Sequence, residues 1–201
     1  MIKIKDVSFV KSAPSMEETV ADDLSEIAFI GRSNVGKSSI INAITNIKGL
    51  AKSSSTPGKT RLINFFNITF MKDKKEYLAR LVDLPGFGYA RVSKSMKHEW
   101  QKNLTKFITE RSSIRLFVHL IDGRHPNLDI DREVADYLQE IKQGDQEIII
   151  IFTKADKLKQ KDISVIRKIY PNALMVSNSS KKGIDKAIEK IFDSLFGVKI
   201  D

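Results

Sequence analysis

The chain has 201 residues, 41% of them hydrophobic and 29% charged, a composition typical of globular proteins that excludes disordered and fibrous classes. Its length predicts a single domain over residues 1–201, with a core at about 24–196. The absence of cysteine excludes disulfides, thiol catalysis and cysteine-ligated metals, and the net charge of +9 favours an anionic partner such as nucleic acid.

The longest apolar run, from Ile148 to Phe152, is far shorter than the roughly 20 residues that span a bilayer. The N-terminal stretch MIKIKDVSFVK lacks the apolar segment of a signal peptide. We therefore expect a cytoplasmic protein with no membrane partner.

Strands and helices alternate along most of the sequence. A short apolar run at 26–30 predicts a buried strand, and residues 37–47 then show helical spacing. Residues 61–70 and 76–83 are typical of two hairpin strands joined by the charged stretch 71–75. Further along, the predicted elements are a strand at 115–122, a helix at 131–141, a strand at 147–153, a helix at 162–169, a strand at 173–177 and a helix at 183–196.

This alternation predicts an α/β fold with an open, mostly parallel six-stranded sheet, helices on both faces and one antiparallel hairpin strand. The ligand site of such a sheet lies at the carboxyl ends of its strands. Residues 48–60 and 85–97 are predicted loops, and both adjoin strand ends that would meet at that site.

The segment from Gly31 to Ser38 reads GRSNVGKS and fits the phosphate-loop pattern G-x-x-x-x-G-K-[ST], between a predicted strand and a predicted helix. Gly31 and Gly36 permit a backbone path on which successive N–H groups point at phosphate oxygens, and the helix N-terminus adds a favourable dipole. We expect Lys37 to reach the terminal phosphates and Ser38 to place its hydroxyl on Mg²⁺.

The segment TKAD, ending at Asp156, follows an apolar strand at the same sheet edge and indicates guanine. A carboxylate can accept both the N1–H and the exocyclic N2–H of guanine, whereas adenine offers an acceptor at that edge. Lys154 can lie over the purine face, and Ser177 and Asn178 can contact the base from the other side. The pattern therefore predicts GTP as the ligand and argues against an ATPase or kinase.

The segment DLPG follows a predicted strand and supplies candidates for the metal and the γ-phosphate. Asp83 can hold Mg²⁺ through water, and the Gly86 N–H can contact the γ-phosphate. Thr60 is the preferred second hydroxyl ligand of Mg²⁺ because it directly precedes a strand, and Thr56 is the alternative.

Four segments, GRSNVGKSS, TPGKTR, DLPGFGYA and TKAD, together resemble a Ras-like G domain of the class that includes the Era, TrmE and EngA GTPases. The pairing of PGKT with DLPGFGYARVSK resembles, more narrowly, the EngB family of ribosome-biogenesis GTPases, from about Ile4 to Phe196. The resemblance implies that Ser38 and Thr60 bind Mg²⁺, with Asp83 beside them. The residues implied to contact GTP are Gly31, Arg32, Ser33, Asn34, Val35, Gly36, Lys37, Ser38, Gly58, Lys59, Thr60, Arg61, Leu62, Asp83, Leu84, Pro85, Gly86, Thr153, Lys154, Ala155, Asp156, Val176, Ser177 and Asn178.

Slow hydrolysis is expected because Phe87 stands where Ras-like proteins carry the glutamine that orients the attacking water; packing is its other possible role. Lys37, Thr60, Gly86 and Asn34 are the candidate catalytic residues. By resemblance to potassium-stimulated relatives of TrmE, Asn34 ligates K⁺, and a local backbone cap is the alternative. The histidines are not spaced as a metal site, and His119 is expected in the core.

The resemblance further implies a role in assembly of the large ribosomal subunit and in normal septation. Contact through rRNA phosphates is electrostatic and salt-dependent, and solvated lysines are the alternative interpretation of the same residues. The candidates are Lys48, Lys52, Lys59, Arg91, Lys94 and Lys97, with Tyr89. A GTP-dependent switch acting on a cell-division or signalling protein is the competing function. We expect a monomer, and a transient dimer stays open.

Overall fold

The computed structural model describes residues 1–52, 62–87 and 94–197, with the backbone alone for residues 94–101. The strands are β1 (Lys3–Ala13), β2 (Glu26–Gly31), β3 (Ile63–Lys72), β4 (Lys75–Asp83), β5 (Ile114–Asp122), β6 (Glu147–Thr153) and β7 (Leu174–Met175). The helices are α1 (Lys37–Thr45), α2 (Lys94–Glu110), α3 (Asp129–Ile141), α4 (Gln160–Ile169) and α5 (Ile184–Phe196), with short 3₁₀ turns at Met16–Glu18 and Ala155–Lys157.

The described strands form one sheet in the order β1-β3-β4-β2-β5-β6-β7. Strands β4, β2, β5, β6 and β7 pair in parallel, while β3 runs antiparallel to both of its neighbours. The predicted α/β class and the antiparallel hairpin strand are thereby confirmed.

The predicted count of six strands is wrong, because β1 adds a seventh at the sheet edge. Its residues are mostly exposed, and its register with β3 shifts between Ile4 and Asp6 and again between Phe9 and Lys11. Each shift breaks the alternation of apolar and polar residues by which strands are recognised. The strand therefore shows period-two alternation only in short stretches, such as residues 2–5.

Helix α2 was not predicted, and several element bounds differ from the prediction by a few residues. Helix α2 begins at Lys94, inside the predicted loop 85–97. Strand β7 has two residues instead of five. The Val176 N–H still donates to the Phe152 carbonyl of β6 (2.8 Å), but the Val176 carbonyl accepts from the Ala155 N–H (3.0 Å), which lies beyond the end of β6.

Helices cover both faces of the sheet. On one face, α1 and α5 bury Ile40, Ile44 and Phe192 against the strands. On the other face, α2 and α3 bury Phe107 and Leu138. The carboxyl ends of β2, β4, β5 and β6 consequently lie along one edge, which the helices leave open for a site.

No helix within the described ranges is both long enough and apolar enough to cross a membrane.

Candidate nucleotide-binding site

The loop between β2 and α1 has the curved backbone that the glycine pattern predicts. Asn34 and Gly36 have positive φ angles of 65° and 101°. The Val35 N–H donates to the Arg32 carbonyl (3.1 Å), which closes the turn. A Cβ on Gly31 would lie 2.9 Å from Val35 Cγ1 and 3.0 Å from the Leu120 carbonyl oxygen, so a side chain there would push the loop off β5.

Lys37 and Asp83 form an ion pair where the first turn of α1 meets the end of β4. Their side chains are only 11% and 4% exposed, so the ion pair is largely shielded from water at the sheet edge. Ser38 follows Lys37 in the same helical turn and is half-buried.

The oxygen donors Asp83 and Ser38 suit Mg²⁺, which takes few protein ligands and completes its shell with water and substrate phosphates. In keeping with this, no three histidine, aspartate or glutamate side chains of the described segments gather into a protein-only metal site. The donor set therefore fits Mg²⁺ held partly by a nucleotide.

The DLPG segment is hydrogen-bonded to the phosphate loop. The Phe87 N–H donates to the Gly31 carbonyl (3.2 Å), and the Ser33 N–H donates to the Phe87 carbonyl (2.9 Å). A Cβ on Gly86 would lie 3.1 Å from the Ser33 nitrogen, so glycine permits this close approach. The Phe87 ring packs in the core, 8% exposed, with its centroid 6.3 Å from that of His119.

The TKAD segment is attached to the same loop from the other side. The Thr153 hydroxyl, 1% exposed, donates to the Val35 carbonyl (2.6 Å). Lys154 Nζ donates to the Asn34 carbonyl (2.9 Å) and to Asp122 Oδ2 (2.8 Å). The three predicted motifs are thus joined into one unit by direct bonds.

Asp156 is held by the loop after β7. The Ser177 hydroxyl donates to its Oδ1 (2.7 Å), while Ser177 Oγ accepts from the Ser180 N–H (3.1 Å). The Ser177 hydrogen bond is the main cause that lowers the pKa of Asp156, so the carboxylate is ionised at neutral pH. Because each carboxylate oxygen has two lone pairs, Asp156 can still accept two further donors.

A cleft of about 290 Å³ opens between these segments. Its walls include Gly36, Lys154, Asp156, Asn178 and Ser179. A base in this cleft would have the Asp156 carboxylate at its edge and the phosphate loop at its ribose side.

Asp122 is a site residue that the motif search missed. It ends β5, is 7% exposed, and accepts hydrogen bonds from Arg124 and Lys154. Burial alone would raise the pKa of Asp122, but the bonds from Arg124 and Lys154 outweigh it and hold the pKa below its ordinary value. The signal was present in the sequence, since Asp122 closes a predicted strand at the same edge.

A second missed contact joins Arg32 of the phosphate loop to Asp131 of α3, with Nη1 and Oδ2 3.7 Å apart. Asp131 is 1% exposed, and within the described residues neither of its carboxylate oxygens has a hydrogen-bond partner. Burial, the largest cause, raises the pKa of Asp131 to about 6. A helix position gave no sequence signal for this contact.

The structure gathers the predicted residues of the phosphate loop, DLPG, TKAD and the segment 176–178 around one edge of the sheet. Leu62 precedes β3 and is exposed. Gly58, Lys59, Thr60 and Arg61 lie outside the described residues, as does Thr56, so the second hydroxyl ligand stays a prediction.

Asn34, the candidate K⁺ ligand, is exposed at the mouth of this loop. Its side chain makes no hydrogen bond to any part of the chain that the structure describes, so the alternative of a local backbone cap finds no bond there.

The sequence is similar to known GTP-binding proteins. A family model described as "50S ribosome-binding GTPase" matches residues 26–154. A "Probable GTP-binding protein EngB" of Aliarcobacter butzleri is 53% identical over 96% of this chain and 98% of that protein. A protein of the same name from Wolinella succinogenes is 48% identical over 98% of both chains.

The fold matches solved structures as well. The crystal structure of a probable GTP-binding protein engB, at 25% identity, has a TM-score of 0.64 and covers 85% of this chain and 98% of that one. An Era protein of Aquifex aeolicus bound to GDP and aluminium fluoride has a TM-score of 0.61 at 20% identity, with coverage of 87% and 57%, which is a likeness of fold.

Proposed function

This chain belongs to the EngB family of GTP-binding proteins and is a GTPase, and from that premise we propose that it hydrolyses GTP slowly. Hydrolysis switches its binding to the large ribosomal subunit, or to precursors of that subunit, in the cytoplasm. The observation that carries the proposal is the set of hydrogen bonds that joins TKAD and DLPG to the phosphate loop. These bonds hold together the segments proposed to bind the base, the phosphates and the metal.

Each segment of the junction has a proposed role toward the nucleotide. Asp156 reads the guanine edge, and the N–H groups from Gly36 to Ser38 hold the β-phosphate. Lys37 moves from Asp83 to the terminal phosphates when the nucleotide enters. Ser38 and Thr60, with Asp83 acting through water, would hold Mg²⁺, which would supply positive charge beside the phosphates.

The Phe87 ring, packed in the core, supports the proposed slow rate, since an apolar side chain cannot orient water. Asn34, with no hydrogen bond from its side chain within the described residues, is free to ligate K⁺. GTP turnover in KCl should then exceed that in NaCl at equal ionic strength, and the excess should vanish in Asn34→Ala. Equal rates in the two salts would overturn the role for K⁺.

The ribosomal target is proposed from the family description and from the charge of +9. Of the basic residues proposed to contact rRNA, Lys48 and Lys52 are exposed. The side chains of Lys59, Arg91, Lys94 and Lys97 lie outside the described residues, as does Tyr89. Because several of these residues neighbour Thr60 or the DLPG segment in the sequence, nucleotide exchange is expected to change this contact.

Sedimentation with isolated large subunits tests the proposal. We expect salt-sensitive association with a non-hydrolysable GTP analogue and weak association with GDP. A Lys37→Ala variant should sediment alike with both nucleotides, since it lacks the contact to the terminal phosphates. If wild-type protein associates with large subunits equally with either nucleotide and at either salt concentration, the proposal is contradicted and a protein target in division or signalling is favoured. The implied requirement for normal septation stays a prediction, and depletion in cells tests it.

A further inference from the structure

A second cavity, of about 280 Å³, lies between α4, β7 and α5. We name it the α4–α5 pocket. Its lining includes Ile163 and Arg167 of α4, Leu174 and Met175 of β7, and Lys182 and Lys186 at the start of α5. The volume is near the lower limit of small-molecule sites, so the pocket admits a unit of nucleotide size and not a duplex.

The lining divides by chemistry. Ile163, Leu174 and Met175 are half-buried and give the pocket an apolar floor. Arg167, Lys182 and Lys186 are exposed and give it a cationic rim, and no aspartate or glutamate lines it. An occupant with both an apolar face and negative charge matches this arrangement.

The three cations of the rim are uncompensated. Within the described part of the chain, none of their side chains makes an ion pair or a hydrogen bond. Pairing varies among the basic residues of these ranges: Lys154 is paired with Asp122 and Arg115 with Asp145, whereas Lys168 and Lys190 on the same two helices show no ion pair either. Three free cations around one concavity attract an anion more strongly than scattered surface lysines do.

The pocket adjoins the loop that holds the guanine-reading carboxylate. Ala155, between Lys154 and Asp156, forms part of its wall. The Lys182 carbonyl accepts a hydrogen bond from the Ser177 N–H (2.9 Å), and the Ser177 hydroxyl donates to Asp156 (2.7 Å). A ligand that binds the Lys182 side chain therefore contacts a residue whose backbone is hydrogen-bonded to Ser177, and Ser177 positions Asp156.

We propose that the α4–α5 pocket binds one nucleotide unit of single-stranded RNA, with the base on the apolar floor and the flanking phosphates on Arg167, Lys182 and Lys186, and that its occupancy alters the release of GDP. The guanidinium of Arg167 suits phosphate oxygens because its donors form a planar fork. The choice of RNA over an acidic peptide rests on the proposed function, which places the protein on an RNA-rich particle.

A fluorescently labelled single-stranded RNA of mixed sequence is the probe. The pocket variant is Arg167→Glu with Lys186→Glu. The matched control is Lys168→Glu with Lys190→Glu, which changes the charge equally on the same two helices at exposed residues that do not line the pocket. We expect anisotropy titrations of the full chain to show a loss of affinity of about tenfold or more for the pocket variant and a much smaller loss for the control.

Two further readouts locate the effect. The RNA should change the dissociation rate of fluorescent GDP from wild-type and control proteins but not from the pocket variant. Ultraviolet cross-linking with 4-thiouridine in the RNA should modify peptides that contain Ile163, Leu174 or Met175. An unchanged GDP dissociation rate would overturn the link to GDP release, and cross-links elsewhere would overturn the site.

Equal loss of RNA affinity in the two double variants would overturn the pocket as well, since it would show general electrostatics. Binding of polyglutamate that depends on the pocket, without such dependence for RNA, would overturn RNA as the occupant. These results are separable from the ribosomal proposal. If wild-type protein binds RNA through the pocket but does not sediment with large subunits, only the proposed function is contradicted. If it sediments with large subunits but does not bind RNA through the pocket, only the pocket proposal is contradicted.

Discussion

At the residue scale, Asp156 is the residue proposed to recognise the base. Replacing its carboxylate by an amide exchanges one acceptor for a donor, which no longer matches guanine but matches xanthine, whose C2 carries an oxygen. We expect Asp156→Asn to lose GTP affinity by two or more orders of magnitude, by about 3 kcal/mol, and to gain affinity for xanthosine triphosphate. Competition binding measures both, with Asp145→Asn on the surface as the control. Retained preference for GTP would mean that another group reads the base.

The sequence left two roles open for Phe87: slowing GTP hydrolysis and packing in the core. Its ring is core and its backbone bonds the phosphate loop, so the packing interpretation is confirmed. We expect Phe87→Gln to cost about 2–4 kcal/mol of unfolding free energy because an amide replaces a buried ring, and to leave GTP turnover no faster. Urea unfolding and phosphate release measure this, and Phe9→Gln, at a residue 57% exposed, is the control. Faster turnover would show that a polar group at this position reaches the attacking water.

Short connections set the geometry at the element scale, as the β3–β4 hairpin shows. Lys72 pairs with Lys75, and the two residues between them, Asp73 and Lys74, have positive φ angles of 51° and 65°. The sequence prediction of a longer connection at 71–75 missed this tight turn because lysine rarely adopts such angles.

Lys74→Gly should therefore stabilise the protein, by about 0.5–1 kcal/mol, since glycine adopts positive φ without strain. Lys75→Gly, within β4, should destabilise it by a similar amount. Thermal unfolding of the two variants at one pH provides the comparison. Stabilisation by both substitutions would contradict the turn geometry.

The elements around the nucleotide were predictable because their signals are local. The strand 147–153 was predicted with its observed bounds, since a parallel strand buried on both sides is a continuous apolar run. Contacts between distant segments, such as Arg32 with Asp131 and Phe87 with Ser33, were not predictable because no periodicity records them. The site was thus predictable as motifs, and its internal bonding was not.

The pH dependence of stability belongs to the whole molecule and involves two buried groups with opposite effects. Burial lowers the pKa of His119 to about 4, and neither ring nitrogen has a hydrogen-bond partner in the part of the chain that the structure describes. Stability due to His119 is lost as pH falls from about 6.5 to 4, because the unfolded chain takes up the proton first. The pKa of Asp131 is raised to about 6, so its contribution lowers the free energy of unfolding as pH rises from about 4 to 6.

Asp131→Asn should accordingly raise the unfolding free energy above pH 6 by about 1–3 kcal/mol and have little effect near pH 4. It should also steepen the loss of stability on acidification, since the opposing effect of Asp131 is gone. His119→Phe should flatten that loss. Denaturant unfolding across pH 4 to 8 measures both, and a constant difference between Asp131→Asn and wild type would contradict burial of an ionisable carboxyl.

The edge strand β1 has a consequence for how the protein is made. Lys3 pairs with Met71 and Ala13 with Ile63, so the partners are separated by 68 and 50 residues of chain. During synthesis β1 must wait, with Phe9 uncovered, until β3 has left the ribosome. The pair of Ala13 with Ile63 lies where β3 begins, and it is the first that can form because Ile63 leaves the ribosome before Met71. The β1–β3 edge can therefore begin to form only after β3 has emerged, and a nascent chain halted before β3 would have its phosphate loop already translated but no β1–β3 edge.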